Sequence, residues 1–103
     1  MQKNNYAPLI EFHGYTNPEF MMLKDQLSEA MKKVLLEKDY ENLTFSLTAS
    51  KVVCVNNQNR PFLRLYSSEF DIVHKVHEIL LKLKWETEIE FIKITNYYDL
   101  RKK

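Results

Sequence analysis

The feature that most limits what this chain can fold into is a repeat. Pro8-Leu9-Ile10-Glu11-Phe12-His13 and Pro61-Phe62-Leu63-Arg64-Leu65-Tyr66 share one order: proline, two apolar residues, a charge, an apolar residue and a ring. In each, apolar side chains recur at alternate positions, as a half-buried strand requires. Proline suits the first residue of a strand, where no ladder donor is needed. Behind each stretch comes an apolar stripe at helical spacing. The first is Phe20, Leu23, Leu27, Met31 and Val34 with Ala30 beside them, and the second is Ile72, Val73, Val76, Ile79, Leu80 and Leu83. Stripes of this kind face a sheet. Each is followed by an apolar strand containing a phenylalanine, Phe45 or Phe91.

Local signals set the boundaries. Residues 1–7 are polar and aperiodic, a segment expected to fray. At Asn17-Pro18-Glu19 the asparagine can cap a helix, the proline fits the first turn, and the acid suits the positive helix end. The stripe predicts that this helix runs to about Glu37, with a polar connection over 38–42. A strand is predicted over 43–49, an apolar ribbon over 51–55, and a turn at Asn56-Asn57-Gln58-Asn59. A hairpin or an irregular excursion therefore joins the two halves. Ser68 and Asp71 have the spacing of a capping box for the second helix. The last strand is predicted over 88–95, and 100–103 form a basic tail.

The order is β-α-β-β-α-β, an α+β fold: tandem β-α-β units, a four-stranded mixed sheet and two helices on one face. Right-handed crossovers make the strands parallel within each unit. The opposite sheet face then carries Leu9, Glu11, His13, Phe62, Arg64 and Tyr66. That face is too apolar and aromatic to stand in water, and 103 residues supply no third layer. Another copy of the chain is expected to cover it.

Composition excludes several classes. Fifteen basic and fourteen acidic residues leave a net charge of +1, which is no electrostatic footprint for nucleic acid or anionic lipid. The single glycine, Gly14, excludes a glycine-rich phosphate loop. The single cysteine, Cys54, excludes an internal disulfide and a cysteine-built zinc site. No apolar run is long enough to span a bilayer, and no cofactor-binding motif occurs. The first residues lack the apolar stretch of a signal peptide, so the cytoplasm is the expected compartment.

The doubled layout, the proline opening the first strand, and the Asn96-Tyr97-Tyr98-Asp99 close resemble the tautomerase superfamily, which includes 4-oxalocrotonate tautomerase and macrophage migration inhibitory factor. Within it, Thr44-Phe45 after the first helix and Tyr97-Tyr98 near the end are most similar to the domain-of-unknown-function 1904 family. The resemblance spans about residues 8–99. It implies a tautomerase/MIF-like fold, a homotrimer with helices outside, and small-molecule sites at subunit boundaries near the start of the first strand. It also implies cofactor-free proton transfer between carbon and oxygen of a keto–enol pair, with an amino-terminal proline as the base. Pro8 is the matching residue, but it stands behind Ala7, so its nitrogen is a tertiary amide whose lone pair is in resonance and accepts no proton. Proline catalysis is therefore expected to be absent unless the chain is trimmed between Ala7 and Pro8. The resemblance further places Lys38, Asn96 and Tyr97 near the pocket as ligand-binding residues. The alternative readings are that Lys38 serves the electrostatics of the helix end and that Tyr97 packs against a neighbour.

His13 shares its predicted face with Glu11 and Arg64. The group reads either as a ligand-binding acid–base histidine tuned by a carboxylate or as a polar cluster inside an oligomer interface, with Glu11 and Arg64 meeting between the halves. His74 and His77 have spacing open to a metal, but it is equally that of a solvated helix face. Cys54, among Val52, Val53 and Val55, reads as a buried small residue. Phe62, Arg64 and Tyr66 on one strand are the residue types of an RNA-stacking platform, yet Glu11 on the neighbouring strand would repel phosphate. The expected protein is thus an oligomeric, tautomerase-like binder of a small keto–enol or anionic ligand. The alternatives are a non-enzymatic interaction or assembly module on the same fold and, behind it, an RNA-binding sheet.

Overall fold

A computed structural model describes residues 8–48, 51–85 and 87–95. Its elements follow in the order β1 (Leu9–His13), α1 (Asn17–Lys32), α2 (Glu37–Glu41), β2 (Thr44–Thr48), β3 (Phe62–Ser67), α3 (Asp71–Lys82) and β4 (Glu88–Lys93). The four strands form one sheet in the order β2-β1-β3-β4. β1 runs parallel to β2, β3 runs parallel to β4, and the two central strands, β1 and β3, run antiparallel. Two parallel β-α-β units are thus joined along their first strands, which is the α+β arrangement expected from the repeat.

The core lies between the sheet and the two long helices. Ile10 and Phe12 of β1, Leu63 and Leu65 of β3, Leu27 and Met31 of α1, and Ile72, Val76, Ile79 and Leu80 of α3 are all buried. Burying a large apolar side chain stabilises a fold by roughly 1.5–3 kcal/mol, so these positions carry most of the driving force. Phe12 is the hub, with edge-on rings of Phe20 at 5.0 Å and Tyr15 at 5.5 Å and a tilted Phe45 at 6.3 Å. The edge strands β2 and β4 contain no fully buried residue, because each packs from one side only.

Three local expectations are corrected. First, α1 stops at Lys32, and a turn separates it from the short α2, so 38–42 is largely helical rather than a plain connection. The stripe overran the true end because Val34 continues the helical spacing, yet Val34 lies exposed in the turn and its neighbour Leu35 packs on the core instead. Periodicity reports which side faces inward, not where the backbone ladder stops. Second, the cap of α1 is Thr16 rather than Asn17. The Glu19 N–H donates to Thr16 Oγ1 at 3.3 Å, and the Thr16 N–H donates to Glu19 Oε1 at 2.9 Å, a reciprocal box. Third, Ser68 and Asp71 form no capping box, since α3 begins after Phe70 with no side-chain cap. Ser67 Oγ instead accepts from the Glu69 N–H at 3.1 Å.

The excursion between β2 and β3 is a hairpin. The Arg60 N–H donates to the Val52 carbonyl at 3.0 Å, and the Cys54 N–H donates to the Gln58 carbonyl at 2.8 Å. Asn57 takes the turn's positive φ of 65°, which asparagine tolerates. Asn59 Nδ2 donates to the Gly14 carbonyl at 3.3 Å, tying the hairpin to the end of β1. Gly14 has φ +83°, and a Cβ there would lie 3.2 Å from Pro61 Cα. Both facts call for glycine.

Candidate functional site

Strand register decides which side chains share the face opposite the helices. Leu9, Glu11 and His13 of β1 stand opposite Tyr66, Arg64 and Phe62 of β3. Phe62, Arg64 and Tyr66 in turn align with Glu88, Glu90 and Ile92 of β4. On the other side, Leu9, Glu11 and His13 align with Thr44, Ser46 and Thr48 of β2. Period-two alternation puts all of these on one surface, and no element among the described residues lies over it.

The charges on this face are organised. Glu11 Oε1 accepts from the Tyr66 hydroxyl at 3.0 Å and lies 3.0 Å from His13 Nε2. The His13 ring is stacked on Phe62, centroids 4.6 Å apart and planes 3° from parallel, and the residue is only 8% exposed. Arg64 Nη2 donates to Glu90 Oε1 at 3.0 Å, and its guanidinium carbon lies 5.4 Å from the Phe62 ring centre. The expected meeting of Glu11 and Arg64 is therefore corrected in part. They are register partners, but the carboxylate turns to Tyr66 and His13 and the guanidinium turns to Glu90. Burial, joined by proton donation to Glu11, holds the Tyr66 phenol above its ordinary value of 10.0. Arg64 Nε is buried and has no acceptor among the described residues.

Of the predicted site residues, Pro8, His13 and Arg64 have described side chains. Pro8 is buried at the head of β1, where its carbonyl accepts from the Thr44 N–H at 3.0 Å. His13 stands at the far end of the same strand, about 16 Å away at the usual rise per residue. Arg64 lies between them, opposite Glu11. Lys38 falls within α2, and its side chain lies outside what is described. Asn96 and Tyr97 lie outside the described residues. His74 and His77 are exposed on α3, and His74 meets Phe70 edge-on at 5.0 Å. Among the described residues, no group of three metal-ligating side chains occurs, and no helix is long and apolar enough to cross a membrane. Cys54 carries a free, half-buried thiol at the hairpin. Glu90 was the residue that sequence reasoning passed over. Its signal was the alternation Glu88, Glu90, Ile92, which puts a carboxylate in the row of Arg64.

A four-stranded mixed sheet of two antiparallel-joined β-α-β units, helices on one face, is the tautomerase/MIF-like fold. The solved structures show it directly. A Vibrio cholerae protein of unknown function superposes with a TM-score of 0.69 at 16% identity, covering 90% of this chain and 84% of that one. A domain of unknown function 1904 from Sebaldella termitidis gives 0.62 at 14% identity, covering 90% and 95%. The macrophage migration inhibitory factor of Giardia lamblia gives 0.52 at 11% identity, covering 85% and 100%. No family model and no curated protein matches the sequence. At such identities the likeness is one of fold.

Proposed function

We propose that this chain is an oligomeric tautomerase-like protein, a homotrimer joined over the open sheet face, that takes a small keto–enol or anionic ligand at a subunit boundary near Pro8. The observation that carries the reading is the open face itself. Among the described residues, Leu9, Phe62, Tyr66 and Ile92 stand on it without a covering layer, and Arg64 Nε is buried there without an acceptor. A sister copy would remove the apolar groups from water and could supply that acceptor. The fold supports the position of the pocket, because Pro8 heads β1 beside the start of β2. Lys38, Asn96 and Tyr97 complete the proposed set. Catalysis through Pro8 requires a free secondary amine, so the full chain lacks it.

A non-enzymatic assembly module is favoured by a different observation: His13, Glu11, Tyr66, Arg64 and Glu90 are already partnered within the chain. The face carries Glu11, Glu88 and Glu90 beside Arg64, which disfavours phosphate and with it the RNA reading.

Sedimentation of the full chain tests the assembly. A threefold mass that falls on Arg64→Glu supports it, and a monomer overturns it. Ultraviolet spectra of an enolisable α-keto acid then separate the two readings. A chain that begins at Pro8 should accelerate ketonisation while the full chain does not. Inactivity and absence of binding in both forms would leave the assembly module standing.

A further inference from the structure

A concavity lies on the helix side of the sheet, at the β2 edge. Lys24, Asp25 and Ser28 of α1, Tyr40 and Glu41 of α2, and Leu43 and Phe45 around the start of β2 line an open cleft of about 300 Å³, at the lower end of the range of small-ligand sites.

Its chemistry has three parts. Leu43 and Phe45, half-buried and backed by the core, make an apolar wall. Ser28 Oγ and the Tyr40 hydroxyl are hydrogen-bonded at 3.2 Å. One of them spends its proton on the other, which leaves one O–H and several lone pairs for a ligand. Lys24 and Ser28 are four residues apart on α1 and so share a side of that helix. Lys24 Nζ spends one donor on Asp25 Oδ1 at 3.3 Å and keeps two. Glu41 has no ion pair or hydrogen bond among the described residues. The cleft therefore presents a donor-rich part, an uncompensated carboxylate and an apolar wall together.

We propose that this cleft binds a small zwitterion with an apolar side chain, the class of a free α-amino acid. The ligand carboxylate would meet Lys24 Nζ and the remaining hydroxyl donor, its ammonium would meet Glu41, and its side chain would cover Leu43 and Phe45. A simple acid would bring its charge against Glu41 and Asp25, and a simple amine would meet Glu41 but leave the two free donors of Lys24 and the hydroxyl unused. Only a ligand with both charges uses both residues. The site does not rest on the reading given to Pro8, and it involves no residue of that pocket.

The test is an amide NMR titration of the full chain with L-leucine, isoamylamine and N-acetyl-L-leucine. L-Leucine should shift the Ser28, Tyr40 and Leu43 amides saturably. Each of the other two lacks one charged contact and should bind about tenfold more weakly, the usual consequence of losing a charge-assisted hydrogen bond. Lys24→Met and Glu41→Gln should each weaken L-leucine by a similar factor, with the rest of the spectrum unchanged. Three results would each overturn the proposal: no saturable shift of those amides, an equal response to the amine or the acid alone, or full affinity in both variants.

Discussion

Replacing Glu11 by alanine tests whether the open face is an organised network or a scatter of surface charges. One carboxylate oxygen of Glu11 serves both the Tyr66 hydroxyl and His13 Nε2, each at 3.0 Å. The Glu11 side chain is 22% exposed and that of His13 10%. A buried hydrogen bond to a charged group contributes roughly 1.5–3 kcal/mol. Two such bonds, discounted by about half because water still reaches the carboxylate, give about 1.5–3 kcal/mol for Glu11→Ala. The solvated pair of Lys24 with an Asp25 side chain that is 73% exposed provides the control, and Asp25→Ala should cost less than about 0.5 kcal/mol. Urea denaturation followed by circular dichroism at one protein concentration measures both, and an unchanged slope would show that the unfolded states are comparable. A double-mutant cycle with Tyr66→Phe should return a coupling of about 1 kcal/mol. A cost for Glu11→Ala no larger than the control, or a coupling of zero, would refute the network. Repeating the series at tenfold dilution asks whether the network also supports assembly, because stability that depends on association falls with concentration.

Other perturbations follow from the same structure. Phe12→Ala removes the fully buried hub of four rings and should cost about 3–5 kcal/mol in the same denaturation assay; a loss under about 1 kcal/mol would mean that Phe12 is not the hub. Gly14→Ala forces a φ of +83° on an L side chain whose Cβ meets Pro61 Cα, so a loss of at least about 1–2 kcal/mol and a lower melting temperature are expected. Burial raises Tyr15 and Tyr66 above 10.0, which means that their neutral forms favour the folded state. The stabilisation they give is complete below pH 10.0 and is lost as pH climbs through their higher folded values. Phenolate absorbance should show these two tyrosines ionising above the ordinary phenol value of 10.0, with the melting temperature falling over the same alkaline range. Complete phenol ionisation by pH 10.0, with no later fraction, would contradict it.

Much of the architecture was legible because the signals are local. The alternation in Leu9–His13 and Phe62–Tyr66 marks strands, and the stripes through Leu27 and Val76 mark helices whose apolar sides need a sheet. Repetition of the unit then leaves few ways to arrange four strands. Short-range backbone chemistry was legible only in part. Thr16 displaced Asn17 as the cap because Thr16 alone could pair reciprocally with Glu19, and the break after Lys32 left no mark in the apolar spacing.

Side-chain pairing across the sheet belongs to another category. Alternation places Glu11, Arg64, Tyr66 and Glu90 on one face, but it does not say that β1 and β3 are neighbours or in what register they lie. Once Glu11 stands opposite Arg64 and Arg64 beside Glu90, a guanidinium between two carboxylates has to choose, and Tyr66 and His13 satisfy the one it leaves. The cleft between α1, α2 and β2 is likewise built from residues up to 21 positions apart, from Lys24 to Phe45, so no spacing could announce it. Periodic burial is written along the chain, one residue at a time. Which polar groups meet is settled by strand order and register, because hydrogen bonds and ion pairs act only over a few ångströms and only folding brings distant residues that close.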